Sequence, residues 1–201
     1  MLNLTIEQKY SKKMTKILLS DVSEIFIGIP ISRYKFDISK NKVKVDYKLF
    51  SQNMLSNTGL FQPYDAEMFC ATRDLSAGCT QAGDVVYGMR KPNDAVYINS
   101  ENAGHLVQSY MAIIRCDKSI IIPEYLAFKL NTNESRHQLY KNIQGATIPL
   151  LKIRDIKDIT LEIPSLEQQA KIVKIAKIGF EEIEVLKELI NAKTKLIKLL
   201  I

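Results

Sequence analysis

The sequence predicts an α+β domain followed by one long carboxy-terminal helix. Short β-like runs are interspersed with short helical stretches rather than arranged as regular βαβ units. One such run, Thr160-Leu161-Glu162-Ile163, passes through Pro164-Ser165-Leu166-Glu167-Gln168-Gln169 into a helical pattern that continues unbroken to Ile201. The composition, 46% hydrophobic and 25% charged over 201 residues, is that of a globular chain with room for one domain of ordinary size and an appendage.

Charge and composition narrow the classes of function. A formal charge of +6 suggests an anionic partner such as nucleic acid, although an excess this modest also fits a role in solubility alone. The first nine residues carry Glu7, Gln8 and Lys9 where a signal peptide needs an apolar core, and no apolar run approaches the roughly 18 residues of a membrane span. A cytoplasmic protein without membrane association is expected. Cys70, Cys79 and Cys116 form an odd set with no Cys-x-x-Cys pair, and His105 and His137 stand alone, so neither a disulfide framework, a metal nor another cofactor is expected.

Residues 3–14 read as a short polar helix rich in lysine, and Ser20-Asp21-Val22 as a helix start that opens the globular domain. Ile25-Phe26-Ile27-Gly28-Ile29-Pro30 reads as a strand ended by a turn. Over residues 33–50 cations alternate with aromatic and β-branched residues, and strict alternation over 42–46 predicts a half-exposed strand with a basic outer face. Residues 51–82 lack periodicity and read as an exposed variable loop. Gly83-Asp84-Val85-Val86-Tyr87-Gly88 starts a hairpin whose second strand is Ala95-Val96-Tyr97-Ile98, and residues 107–116 supply another strand. Pro123-Glu124-Tyr125-Leu126 begins a helix with proline in its first turn, residues 134–141 another, and Gly145-Ala146-Thr147-Ile148-Pro149 breaks it. A short helical element over 151–157 precedes the strand 158–163.

In the terminal helix, Ser165 and Gln168 have the spacing of a capping box. Apolar spacing of four and three runs through Ile172, Ala176, Gly179, Ile183, Leu186, Ile190, Lys193, Ile197 and Leu200, and a second stripe through Ile175, Ile178, Val185, Leu189, Ala192, Leu196 and Leu199. Two stripes make a face wide enough for more than one neighbour, of which its own domain could be one. At 1.5 Å per residue the helix reaches about 55 Å, longer than a domain of this size is wide. Its distal half therefore needs a cover from another chain, unless the helix bends back near Gly179 as a hairpin.

No dinucleotide loop, P-loop, zinc-protease motif or nucleophile elbow is present, nor the Asn-Pro-Pro-aromatic signature of amino-methyltransferases. Glu124 and Asp155 with Lys157 only faintly match the carboxylate and lysine set of a metal-dependent nuclease. The sequence points away from an enzyme.

The run Gly145-Ala146-Thr147-Ile148-Pro149-Leu150-Leu151, Ile153-Arg154-Asp155-Ile156 and Leu161-Glu162-Ile163-Pro164-Ser165-Leu166-Glu167-Gln168-Gln169 resembles the end of a target-recognition domain and the start of a spacer helix in type I restriction-modification specificity subunits. Upstream, Lys16-Ile17-Leu18-Leu19-Ser20-Asp21-Val22 with Gly28 resembles the family's opening, Gly83-Asp84-Val85-Val86-Tyr87 its central strand and Pro123-Glu124-Tyr125-Leu126 the helix that follows. Family members usually carry two recognition domains and two spacer helices, whereas this chain has room for one of each. The resemblance implies a half-subunit: a DNA target-recognition domain over 1–164 and a coiled-coil spacer and dimerisation helix over 165–201. It implies binding to double-stranded DNA, seating of a methyltransferase subunit with the restriction subunit as a further partner, and pairing with a second copy or with another half-subunit; pairing with itself, as a homodimer, would by two-fold symmetry give a palindromic interrupted target. Ile172, Ala176, Ile183, Leu186, Ile190, Ile197 and Leu200 are then the partner-facing positions. Chemistry nominates Arg73, Gln81, Arg90 and Asn93 for base edges and Arg33, Lys35, Lys48, Lys91 and Lys152 for phosphate, with Tyr34 and Tyr87 as weaker candidates. The alternatives are a regulatory half-subunit acting through protein contacts without reading DNA, and a small metal-dependent nuclease using Asp155.

Overall fold

A four-stranded antiparallel sheet, covered on both faces, organises the chain. The structure, a computed structural model, describes residues 14–37, 39, 44–91, 93–141 and 151–200, with Lys141 and Leu200 described by backbone alone. Among these, the strands are β1 (Thr15–Leu18), β2 (Ser23–Ile27), β3 (Val45–Lys48), β4 (Met68–Ala71), β5 (Val85–Gly88), β6 (Ala95–Tyr97), β7 (Met111–Cys116) and β8 (Thr160–Ile163). The helices are α1 (Pro123–Leu130), α2 (Asn133–Lys141), α3 (Ile153–Lys157) and α4 (Leu166–Leu200). The α+β class and the long carboxy-terminal helix are as the sequence predicts.

The main sheet has the order β2-β7-β5-β6, and β1-β8 and β3-β4 form separate two-stranded antiparallel ribbons. Because successive side chains on a strand point to opposite faces, β5 and β7 each feed two cores. Val85, Tyr87, Ala112 and Ile114 join the core under α1, α3 and the ribbon β1-β8, whereas Val86, Met111 and Ile113 join Phe50, Met54 and Leu55 on the other face. A strand buried on both faces reads as a continuous apolar run, which is how these two appear in the sequence. A third cluster, with Tyr47, Leu49, Phe69, Ala71, Leu75 and Leu106, closes the ribbon β3-β4 against the segment around Ile29 and Ile31.

Several expectations are corrected. Residues 51–82 are not a plain exposed loop: they hold β4 and two 3-10 turns, and Met54, Phe69, Ala71 and Leu75 are buried. The segment lacks periodicity because its apolar residues are spread over short turns that serve two different cores. Ser20 and Asp21 belong to a 3-10 turn between β1 and β2 rather than to the start of a helix. The strand expected from 107 begins at Met111, since Gln108–Met111 closes a turn through Met111 N donating to Gln108 O at 2.9 Å. The expected helix over 3–14 and the break at 145–149 lie wholly or largely outside the described residues, whereas of the alternating run 42–46 Lys44, Val45 and Asp46 are described and lead into the half-exposed strand β3.

The junction between domain and helix is held differently from the predicted capping box. Among the described residues no side-chain hydrogen bond links Ser165 and Gln168. Instead Gln169, with no exposed surface, accepts from Ile122 N at 2.8 Å and donates to Ile120 O at 3.0 Å and Pro164 O at 2.9 Å. One amide thus ties the exit of β8, the loop before α1 and the first turn of α4. Downstream, Val173 enters the main core, Lys177 pairs with Glu124 of α1 at 3.3 Å, and Phe180 meets Phe128 edge-on at 5.7 Å. From 181 to 199 every residue of α4 is exposed, and the helix runs through Gly179 without a break, which overturns the hairpin alternative. The exposed part projects roughly 30 Å beyond the domain.

Replacing Gln169 by alanine removes the partner of the buried Pro164 carbonyl and of the partly buried Ile122 N–H and Ile120 carbonyl, which should cost about 3 kcal/mol. Urea unfolding monitored by circular dichroism checks this; a loss below about 1 kcal/mol would show that the amide does not hold the junction.

Candidate nucleic-acid interface

Most of the predicted contact residues fall into two groups. The first surrounds the ribbon β3-β4, where Lys35 and Lys44 line a groove of about 1090 Å³ together with Ser32, Glu67, Met68 and Gln108. Arg33 follows Ser32 in an exposed 3-10 turn, and Lys48 projects from β3 opposite Met68. Beside this groove Arg73 lies over the ring of Tyr34, its guanidinium carbon 4.3 Å from the centroid, and its Nη2 donates to the Tyr34 hydroxyl at 2.9 Å. The backbone next to Arg73 is fixed from below. The buried Tyr47 hydroxyl donates to Asp74 at 2.7 Å and accepts from Leu75 N at 2.6 Å. The Tyr47 bond, with those from Ser76, holds the Asp74 carboxyl below its ordinary pKa, while burial pushes the Tyr47 phenol up.

The second group sits at the carboxyl end of β5. Arg90 lies over the ring of Tyr110 at 4.7 Å, and the Lys91 ammonium lies 5.6 Å from the ring of Tyr140. Leu151 N donates to Met89 O at 3.1 Å and so brings Lys152 to the same end of the sheet. Gln52 secures this turn by donating Nε2 to Lys91 O at 2.9 Å. An arginine stacked on a tyrosine gains about 0.5–1 kcal/mol at an exposed site and loses rotamer freedom before any ligand arrives. Both guanidiniums, exposed yet restrained, are suited to the two-pronged recognition of phosphate or a guanine edge.

Three nominated residues do not belong to either set. Tyr87 is fully buried beneath the sheet, and its hydroxyl has no hydrogen-bond partner among the described residues. Asn93 is 1% exposed, with φ of 61°; its Nδ2 donates to Gly88 O at 3.0 Å and its Oδ1 accepts from the Tyr140 hydroxyl at 2.8 Å. Its amide is consumed in closing the turn Arg90–Asn93, where Asn93 N donates to Arg90 O at 2.9 Å, so Asn93 shapes the turn that carries Arg90 and has no edge left for a base. Gln81 is exposed but lies at the opposite end of β5, beside the ion pair of Asp84 with Arg115 at 2.9 Å. Sequence reasoning missed Gln108 and Tyr110, because it absorbed them into a strand; the polar trio Gln108-Ser109-Tyr110 interrupting an apolar run was the available signal.

The helix presents its apolar residues away from the domain. At about 100° per residue, the domain-facing line Gln169, Val173, Lys177 and Phe180 lies nearly half a turn from the midline of the two apolar stripes. Ile172, Ile175 and Ile178 are 39%, 66% and 55% exposed although Val173 beside them is only 8% exposed. Ala176 is half-buried at the border, while Ile183, Leu186, Ile190 and Ile197 are exposed with Val185, Leu189, Leu196 and Leu199; the Leu200 side chain lies outside the description. The domain is thus one neighbour of α4, along Val173, Lys177 and Phe180, and both stripes are open from residue 181 onward.

Among the described residues no group of three or more His, Cys, Asp and Glu side chains could hold a metal. Glu124 is engaged with Lys177, and Asp155 accepts from Lys152 N at 2.8 Å, so the two carboxylates nominated for a nuclease serve separate structural contacts. Cys70, Cys79 and Cys116 are free thiols, and burial pushes Cys116 up to about 11. No helix among the described residues is long and apolar enough to cross a membrane.

Removing the unpartnered hydroxyl with Tyr87→Phe should leave thermal stability equal or higher, whereas Asn93→Ala should cost about 2 kcal/mol because it strips two buried bonds and a residue tolerant of positive φ. Calorimetry of the two variants tests these assignments; a destabilised Tyr87→Phe would show that the hydroxyl has a partner.

Comparison with known proteins places this geometry. The family described as type I restriction modification DNA specificity domain matches residues 11–194. The specificity subunit of the type I restriction enzyme HindI from Haemophilus influenzae is 25% identical over 167 residues, covering 78% of this chain and 35% of that protein. In fold, the chain is similar to an HsdS subunit from Thermoanaerobacter tengcongensis, with a TM-score of 0.67 and 16% identity over 89% of this chain and 45% of that one. It is also similar to a type I restriction-modification S subunit from M. genitalium, with a TM-score of 0.55 and 13% identity over 92% of this chain and 44% of that one. The chain spans about a third of the curated relative it matches and less than half of these solved chains.

Proposed function

The chain belongs to the type I restriction modification DNA specificity domain family, and from that premise we propose that it is a sequence-specific DNA-binding half-subunit that directs a methyltransferase and endonuclease to a bipartite target. As a specificity component it directs the reaction and does not catalyse it. In this reading residues 1–164 are the target-recognition domain, residues 165–201 are the spacer and dimerisation helix, and the protein works in the cytoplasm.

The observation that carries the reading is the coexistence, within this family's fold, of restrained surface arginines and an unpartnered helix. Arg73 on Tyr34 and Arg90 on Tyr110 offer pre-positioned forks, with Arg33, Lys35, Lys48, Lys91 and Lys152 around them to neutralise phosphates. The open double stripe of α4 supports association with a second helix, most simply the same stripe of a second copy running antiparallel. A two-fold pair would read a palindromic, interrupted sequence, because each domain then meets the same half-site in the opposite sense. The methyltransferase subunit would dock on the paired helices and the adjoining domain surface, with the restriction subunit as a further candidate partner.

Two measurements test the proposal. Lysine substituted at both Ile183 and Leu186 should convert a dimer to a monomer by light scattering while the thermal transition of the domain persists; a wild-type chain that stays monomeric at micromolar concentration would refute the pairing. In binding titrations, Lys35→Ala and Lys48→Ala should weaken specific and unrelated duplexes alike and reduce the salt slope by about one each. Arg73→Ala should instead cost about 1–3 kcal/mol on the specific duplex alone, and equal losses on both duplexes would make Arg73 a phosphate contact.

A further inference from the structure

Gln108 is a polar side chain on a tightly organised turn that the function proposed above leaves unassigned. It opens the turn leading into β7, and that turn is fixed by backbone bonds on every side. Met111 N donates to Gln108 O at 2.9 Å, Ser109 N to Ile29 O at 3.0 Å, Ile29 N to Val107 O at 2.7 Å, Gly28 N to Met111 O at 2.9 Å, and Met89 N to Tyr110 O at 3.0 Å. Gly28 is required for this approach, since a Cβ there would run into the carbonyls of Gln108 and Val107. The backbone carrying Gln108 is thus set by β2, the β5–β6 turn and its own closure together, the rigid support that a recognition side chain needs.

The side chain is set as well. Gln108 Nε2 donates to the Tyr110 hydroxyl at 2.9 Å, using one of its two hydrogens, while Oε1 and the second N–H have no partner among the described residues and the residue lines the groove that holds Lys35 and Lys44. The face of the same tyrosine carries the Arg90 guanidinium. One ring therefore holds two recognition groups, an amide with a free acceptor and donor and a guanidinium with its fork exposed. A carboxamide presenting an acceptor beside a donor matches the N6 and N7 edge of adenine, and a guanidinium matches O6 and N7 of guanine.

We propose that Tyr110 is a positioning residue that presents Gln108 to an adenine and Arg90 to a guanine at neighbouring base pairs of the half-site. Asn93 supports the arginine side by closing the turn on which Arg90 stands, and Gly28 supports the glutamine side. This assignment rests on the DNA-specificity reading and adds to it which residues discriminate and which bases they favour.

The test is selection from a randomised half-site library with the full chain in the assembly it forms, followed by binding at each base position. The wild type should select adenine at one position and guanine beside it. Gln108→Ala should flatten the adenine preference by about tenfold or more and leave the guanine preference intact, and Gln108→Glu should move that position toward cytosine, whose N4 amino group donates to a carboxylate. Tyr110→Phe keeps the ring under Arg90 and loses the hydroxyl, so it should weaken the adenine preference alone, whereas Tyr110→Leu should relax both. Melting temperatures of the variants separate these effects from misfolding, with Tyr110→Phe as the least disruptive change. If the chain selects a defined half-site that every Gln108 variant also selects, the assignment is wrong and the specificity reading stands. Equal loss on random DNA would make Gln108 a backbone contact and overturn the assignment too. A chain that selects no sequence in any assembly removes the specificity reading and this assignment with it.

Discussion

A single buried carboxamide determines how the two parts of this molecule are joined. Gln169 uses its carbonyl and both hydrogens on three backbone groups from the loop before α1 and the end of β8. A fully buried amide tolerates no arrangement that leaves these groups unpaired, so the first turn of α4 is held in one orientation relative to the domain. From that orientation follows the side on which Val173, Lys177 and Phe180 meet the core and α1. The remaining circumference, with its apolar double stripe, is then directed away from the domain and is exposed throughout from residue 181 to 199.

The proposed recognition surface is governed by a similar economy. Loops at the end of a buried sheet would ordinarily be mobile, yet here the turns bearing Arg90 and Gln108 are closed by their own hydrogen bonds and by neighbours. Asn93 contributes its left-handed backbone and both ends of its amide, and Tyr110 contributes a ring face to Arg90 and a hydroxyl to Gln108. Arg73 is restrained in the same way by Tyr34, above a segment locked by Tyr47 and Asp74. Rigid display reduces the entropy lost when long polar side chains bind, which favours discrimination between ligands over adhesion to all of them. Among the described residues Lys35 and Lys48 lie on no such ring and are suited to contacts that need charge without exact placement.

Much of the architecture was legible from periodicity. The hairpin β5–β6, the helix beginning at Pro123 and the long carboxy-terminal helix fall where the sequence places them, because each is specified by local signals: turn residues, a proline at the first helical position, an unbroken spacing of three and four. The segment 51–82 was not legible, since short turns whose apolar residues point into separate cores leave no period to detect. The site was legible only by residue type. Asn93 and Arg90 are both plausible base readers as letters, and only burial separates the one that builds the turn from the one that stands on it.

By itself, then, the sequence determined the class of the fold, the run of the terminal helix with its two apolar stripes, and the resemblance that named the family, because all three are written in spacing along the chain. Tertiary structure decided which face of that helix the domain occupies, that Gln169 rather than Ser165 and Gln168 holds the junction, and that Gln108, Tyr110 and Arg90 converge. Those outcomes depend on groups tens of residues apart competing for the same hydrogen bonds and the same buried volume, and one-dimensional spacing carries no record of that competition.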